Sequence, residues 1–83
     1  EKPIQEGELV TIDFGAVWKG YCSDMTRTIW YGELSEHDRG LVREVSLAQA
    51  RAVAAARPGM TTGELDEVAR GSLRQAGLGD YFV

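Results

Sequence analysis

The sequence has 83 residues, of which 43% are hydrophobic and 27% charged, and its formal net charge is −4. This length allows one small domain at most, and no apolar run approaches the roughly 20 residues that span a membrane. The acidic balance lacks the basic footprint of a nucleic-acid-binding protein. A single cysteine, Cys22, excludes an internal disulfide and is compatible with a reducing, cytoplasmic location.

Residues 9–17 and 21–31 are rich in β-branched and aromatic side chains, which predicts the two arms of an antiparallel β-hairpin. The arms are joined by residues 18–20, and Gly20 can adopt a positive φ angle there. A turn centred between residues 18 and 19 places Asp13 directly opposite Asp24. A slip of one residue would move the two carboxylates to opposite faces of the hairpin.

The predicted pairing brings two negative charges together. Opposed side chains on one face lie about 4.5–5.5 Å apart at Cβ, and like charges at that distance destabilise a sheet. Asp13 and Asp24 are therefore expected to hold a cation between them or to share a proton. A single aspartate in a strand is more often a solvated residue. The expectation of a bound cation or a shared proton therefore depends on the pairing of the two aspartates.

The same register distributes the other side chains of the hairpin over two faces. Thr11 is expected opposite Thr26 on the aspartate face, which suits the lining of a cavity. Ile12 is expected opposite Met25 on the other face, which is apolar and predicted to pack against another element.

Two helices are predicted after the hairpin. Ser35 has the position of an N-cap residue, and residues 57–59 (Arg-Pro-Gly) end the first helix. Thr61 or Thr62 caps the second helix with Glu64. The first apolar stripe consists of Leu41, Val45, Ala48, Ala52 and Ala56, and the second of Leu65, Val68, Ala69, Leu73 and Ala76.

Gly77 is expected to follow the second helix as its C′ residue. The chain then ends on the apolar run of residues 81–83, which is expected to begin a further element. It starts with Glu1 rather than methionine. Both ends lead us to expect an excerpt of a longer protein, truncated on both sides.

Three further side chains are candidates for chemistry by residue type alone. His37 is expected to be exposed in the first turn of a helix, and Cys22 lacks a histidine partner for thiolate catalysis. Arg27 is expected to form a structural ion pair. None of the three is predicted to be a catalytic residue.

Two motifs of the hairpin are similar to a known family. Residues 13–16 (Asp-Phe-Gly-Ala) and 20–28 (Gly-Tyr-Cys-Ser-Asp-Met-Thr-Arg-Thr) resemble the metallopeptidases of the pita-bread fold. That family contains methionine aminopeptidases, Xaa-Pro aminopeptidases and Xaa-Pro dipeptidases (prolidases), and the motifs are closer to the Xaa-Pro branch. The resemblance extends over essentially the whole chain. It implies an α+β fold in which residues 1–83 form part of a pita-bread catalytic domain, an antiparallel hairpin followed by two helices.

The resemblance also implies a metal site. Asp13 matches the bidentate ligand of one divalent ion, and Asp24 matches the carboxylate that bridges two ions. In the family the other ligands, a histidine and two glutamates, come later in the chain, as do the catalytic histidines, so no catalytic residue is expected within residues 1–83. The two divalent ions would be Mn, Co, Zn or Fe.

The function implied by the resemblance is that of a hydrolase. The expected substrate is a peptide with proline after the scissile bond, cleaved by water activated between two metal ions. No nucleic-acid or membrane partner is expected, and the location is expected to be cytoplasmic. Whether the parent protein is a homodimer is left open.

Two other interpretations remain at this point. A catalytically inactive member of the family could use the same fold to bind peptides or proteins. Alternatively, the chain could be an α+β domain whose carboxylate pair is accidental. A histidine and two glutamates beyond residue 83 would favour the enzyme.

Overall fold

The computed structural model describes all 83 residues. In chain order the elements are β1 (Leu9–Phe14), β2 (Val17–Trp18), β3 (Tyr21–Cys22), β4 (Met25–Trp30), α1 (Glu36–Ala55), α2 (Thr62–Gln75) and a 3₁₀ turn at Gly79–Tyr81. The predicted α+β class, with an antiparallel hairpin followed by two helices, is confirmed. The chain divides into two compact units, residues 1–36 and 37–83. Neither helix carries an apolar segment long enough to span a bilayer.

The turn of the hairpin lies one residue further along the chain than predicted. Trp18 pairs with Tyr21, so Lys19 and Gly20 are the central residues, with φ angles of 50° and 81°. Two positive φ angles are the requirement of a type I′ turn, whose twist matches that of the strands. The predicted turn would have placed the bulky Trp18 at a position that demands a positive φ, which is sterically unfavourable.

This shift changes the cross-strand partners. Asp13 lies opposite Thr26, so the prediction that it directly opposes Asp24 is wrong. Thr11 pairs with Thr28 instead of Thr26. A shift of one residue in the turn changes each partner by two positions, and two positions preserve the face of a strand. The predicted division of side chains between the two faces therefore survives the wrong register.

The hairpin is interrupted where Gly15 and Ala16 face Ser23 and Asp24. The Ser23 N–H donates to the Ala16 carbonyl at 2.9 Å, but the Ala16 N–H donates to the Ser23 hydroxyl oxygen at 3.1 Å. A side chain thus replaces one backbone acceptor, and no residue is inserted. A Cβ atom at Gly15 would lie 2.3 Å from the Ser23 carbonyl oxygen, so glycine permits the close approach of the strands at Asp24.

The apolar face of the hairpin is only partly covered within this chain. Ile12, Phe14, Met25 and Ile29 are between 42% and 52% exposed. The predicted pairing of Ile12 with Met25 is also wrong, because Ile12 lies opposite Arg27. About half of each of these four side chains therefore stays accessible, and the prediction that this face packs against another element is only partly met.

Helix α1 begins after Ser35 and ends before Pro58, as predicted. Ala48 is buried, but Val45 is 54% exposed, so the predicted apolar stripe is only partly correct. The predicted stripe uses several spacings of four residues. Because a helical turn has 3.6 residues, such spacings move the later side chains away from the covered side. The residues of the helix that are buried or half-buried are Asp38, Gly40, Leu41, Val42, Glu44, Ala48, Ala52 and Ala55.

Helix α2 begins with a capping box. The Thr61 hydroxyl accepts a hydrogen bond from the Glu64 N–H at 3.1 Å, and the Glu64 carboxylate accepts one from the Thr61 N–H at 2.8 Å. Two backbone donors of the first turn are satisfied in this way. Thr61 is therefore the N-cap, and Thr62 is the first helical residue.

The C-terminus of α2 is a Schellman motif. Gly77 has a φ angle of 79°, its N–H donates to the Arg74 carbonyl at 3.0 Å, and the Leu78 N–H donates to the Leu73 carbonyl at 2.8 Å. The prediction of Gly77 as the C′ residue is confirmed. A 3₁₀ turn forms at residues 79–81, but no strand or buried segment begins at residues 81–83, which are exposed, so the further element expected there is not found within this chain.

Candidate metal centre

Asp13 projects from the regular part of the hairpin. It lies in β1 directly opposite Thr26 in β4, and the Thr26 hydroxyl donates a hydrogen bond to Asp13 Oδ1 at 3.1 Å. The two side chains therefore share one face, and both residues are exposed. The carboxylate is fixed by a neutral partner and is open to solvent.

Asp24 lies directly before β4, at the interruption of the hairpin. The observed register makes it the diagonal neighbour of Asp13, since it is two residues before Thr26. Diagonal neighbours in an antiparallel pair are about 7–8 Å apart at Cα, within reach of polar side chains. Strand alternation from Thr26 places Asp24 on the face of Asp13. The diagonal offset leaves more room for a cation between the carboxylates than direct opposition would.

No basic side chain neutralises these two carboxylates. Arg27 donates to the carbonyl of Thr26 at 2.8 Å and forms no ion pair, which contradicts the prediction for that residue. The salt bridges Lys2–Glu8, Arg43–Glu44, Arg70–Asp66 and Arg74–Glu67 all involve other carboxylates. Two uncompensated carboxylates on one face are suitable donors for a hard divalent cation.

The donor set within the chain is partial. No group of three or more histidine, cysteine, aspartate or glutamate side chains is close enough to hold a metal ion, whereas divalent ions take four to six ligands. His37 is exposed, as predicted, and Cys22 is exposed as well. The donors of this chain fit part of a metal shell, and the roles of Asp13 and Asp24 as ligands stay predictions.

Sequence reasoning missed Ser23, and it placed Thr26 on the aspartate face without pairing it with Asp13. Ser23 supports the strand interruption through its hydroxyl, and Thr26 is the direct hydrogen-bond partner of Asp13. The signal for Thr26 was present in the sequence, since any register centred on Lys19-Gly20 pairs it with Asp13. The signal was lost because the turn was placed one residue too early.

Comparison with known proteins identifies the family. The sequence model of metallopeptidase family M24 matches residues 1–83. The chain belongs to metallopeptidase family M24. This M24 chain is 49% identical over 83 residues to the Xaa-Pro dipeptidase of Pyrococcus furiosus, an alignment that covers 100% of the chain and 24% of the relative. It is 45% identical over 80 residues to the Xaa-Pro dipeptidase of Lactobacillus delbrueckii subsp. lactis, covering 96% of the chain and 22% of that relative.

Solved structures of M24 relatives share the fold of the whole chain. The prolidase from Pyrococcus furiosus superposes with a TM-score of 0.94 at 50% identity, covering 99% of this chain and 24% of that one. The X-Pro aminopeptidase from Thermotoga maritima gives a TM-score of 0.84 at 39% identity, covering 92% of this chain and 22% of that one. The hairpin and two helices therefore match part of a pita-bread domain. The chain spans about a quarter of the length of these relatives.

Proposed function

We propose that the protein to which these residues belong is a dinuclear-metal exopeptidase that hydrolyses the peptide bond before proline. The observation that carries this proposal is the 49% identity to an Xaa-Pro dipeptidase over all 83 residues, a segment that includes both carboxylates of the hairpin. The relatives bear the names of both dipeptidases and aminopeptidases, so the proposal covers both kinds of exopeptidase.

In this proposal the hairpin holds two of the metal ligands. Asp13 would hold one ion, and Asp24, directly before β4, would be shared between the two ions. When bound, the pair of ions supplies an activated water and polarises the scissile carbonyl. The strand pairing limits the spacing of the two carboxylates, because Asp13 lies opposite Thr26 in the ladder and Asp24 is two residues before Thr26.

Four finer points belong to the same proposal. Among Mn, Co, Zn and Fe, the carboxylate donors favour Mn²⁺, because hard oxygen ligands suit that ion. The substrate is a peptide with a free amino terminus and proline after the scissile bond. The free Cys22 supports a reducing, cytoplasmic location. The fourth point, assembly as a homodimer, is checked by light scattering of the full-length protein.

The test compares Asp24→Asn, Asp13→Asn and Asp80→Asn in the full-length protein. Asp24→Asn is expected to lose at least one metal ion and most of the turnover, because a bridging carboxylate serves both ions. Asp13→Asn is expected to weaken mainly one ion, with partial rescue by added Mn²⁺. Asp80→Asn, the same change at an exposed position outside the hairpin, is the matched control. Metal content per subunit, turnover of an Xaa-Pro dipeptide and the thermal midpoint with and without chelator are measured.

Two results contradict the proposal in different ways. If both hairpin variants keep two metal ions and normal turnover, the aspartates are structural. If the unmodified protein binds metal but cleaves no Xaa-Pro peptide, the protein is a binding module with the peptidase fold.

A further inference from the structure

We infer that Thr26 is a positioning residue that orients the Asp13 carboxylate for its metal ion. This inference rests on the proposed metal site and adds to it a residue that holds a ligand without contacting the metal.

The geometry of the pair supports this role. Thr26 and Asp13 are directly opposed in the β1–β4 ladder, so backbone hydrogen bonds on both strands fix the two Cα positions. The Thr26 side chain is β-branched and therefore stiff about χ1. Its hydroxyl reaches Asp13 Oδ1 at 3.1 Å. A rigid donor on a fixed backbone restricts the rotation of the carboxylate.

The hydrogen bond also leaves the carboxylate able to bind a cation. An ionised aspartate offers about four lone-pair sites on two oxygens, and one hydroxyl occupies only one of them, on Oδ1. No basic side chain competes for the others, since the salt bridges of the chain involve other carboxylates. Loss of such an outer partner typically lowers metal affinity about 10- to 100-fold.

The neighbouring threonine pair provides a matched control. Thr11 and Thr28 are directly opposed two residues along the ladder, on the same face, and neither forms a hydrogen bond with Asp13. Thr28→Val removes the same hydroxyl from the same strand as Thr26→Val. Valine and threonine are both favoured in strands, so both variants are expected to fold.

The experiment measures Mn²⁺ binding to the full-length protein by titration calorimetry after metal removal. Thr26→Val is expected to lower the affinity for one ion about 10- to 100-fold. Thr26→Ser, which keeps the hydroxyl, is expected to restore most of it, and Thr28→Val is expected to leave both ions unchanged. The thermal midpoint of the metal-free protein is measured for each variant, because a purely structural role would change this midpoint and not the metal affinity.

Each outcome decides one question. Unchanged Mn²⁺ affinity in Thr26→Val, or an equal loss in Thr28→Val, overturns the role of Thr26. If Asp13→Asn loses metal in the same assay, the proposed site stands without Thr26. If Asp13→Asn binds both ions normally, the proposed site itself has failed. Should Thr26→Val not fold, Thr26→Ala tests the same loss of the hydroxyl.

Discussion

Gly15 shows how one absent side chain shapes the region around the candidate ligands. An ideal Cβ at this position would lie 2.3 Å from the Ser23 carbonyl oxygen and 3.8 Å from Asp24 Cα. The obstructing atoms belong to the backbone, and Ser23 is held to Ala16 by its own N–H. A methyl group could be accommodated only if the strands separate next to Asp24.

We therefore predict that Gly15→Ala destabilises the full-length protein by about 1–3 kcal/mol, the usual cost of overpacking. Gly40→Ala is the matched control, because Gly40 lies within α1 and a Cβ atom added there would meet nothing within 4 Å. This control is expected to stabilise by about 0.5–1 kcal/mol, since alanine favours helices over glycine. Denaturant unfolding of the metal-free protein measures both free energies. Equal effects of the two substitutions would show that the steric argument at Gly15 is wrong.

At the scale of residues, the sequence indicated candidate ligands but not their hydrogen-bond partners. Asp13 and Asp24 stand out because two carboxylates on one face of a hairpin repel each other unless a cation or a proton compensates them. The Thr26–Asp13 hydrogen bond depends on the register, and the register depends on which residue adopts a positive φ. Lys19 does so here, which its side chain does not indicate.

At the scale of elements, local signals located both helices and the hairpin. The capping box at Thr61 and the glycine at position 77 are short-range patterns, and the structure reproduces both. The interruption of the hairpin into two small sheets was not predicted. At the interruption, the Ser23 hydroxyl replaces a backbone carbonyl as hydrogen-bond acceptor. The strand propensities of the residues do not predict such a replacement.

Helix α2 also holds the end of the chain through Arg70. The guanidinium binds both carboxylate oxygens of Asp66, at 2.7 and 3.2 Å, and donates to the Phe82 carbonyl at 2.6 Å. It lies 4.5 Å from the centroid of the Phe82 ring. The planar guanidinium thus combines an ion pair, a backbone hydrogen bond and a cation–π contact in one position.

This arrangement predicts a pH dependence for the order of residues 79–83. The hydrogen bond from Arg70 holds the pKa of Asp66 below its ordinary value of 3.8. A lowered pKa in the folded state means that the stabilisation is present above the ordinary value and is lost as the pH falls through the lower folded value. Asp66→Asn is therefore expected to reduce the protection of residues 79–83 at neutral pH and to have no effect below the folded pKa.

Limited proteolysis of residues 79–83 measures this effect. It is carried out from neutral pH to pH values below 3.8, with acid-active proteases at the lowest pH values. Glu67→Gln is the control, because it breaks the ion pair with Arg74 at 2.7 Å on the same helix and leaves the Phe82 contacts intact. A difference between Asp66→Asn and the unmodified protein that persists unchanged at the lowest pH would contradict the role of the ion pair.

At the scale of the whole molecule, the chain buries little of its apolar surface. Its buried hydrophobic residues are Leu34, Ala48 and Leu73, and no large side chain is fully buried. Ten large hydrophobic residues between positions 9 and 31 are exposed. The accessible surface is 7032 Å², compared with about 4,900 Å² expected for a self-contained protein of this mass. Sequence periodicity predicted which faces are apolar, but it could not show how much of each face is covered, because coverage depends on tertiary packing and not on local pattern.

Residues 1–83 expressed alone are expected to be poorly stable and inactive. We expect a broad, non-cooperative thermal transition and fast hydrogen exchange in the hairpin, because the apolar surface buried by so small a core does not offset the entropy of ordering the chain. Xaa-Pro cleavage is expected to be absent with Mn²⁺ or Co²⁺, since two carboxylates leave the coordination of either ion incomplete. The full-length protein in the same assays is the control. A sharp unfolding transition would show that burial within the chain is sufficient for stability, and metal-dependent cleavage by the isolated residues would show that the catalytic site needs no ligands beyond them.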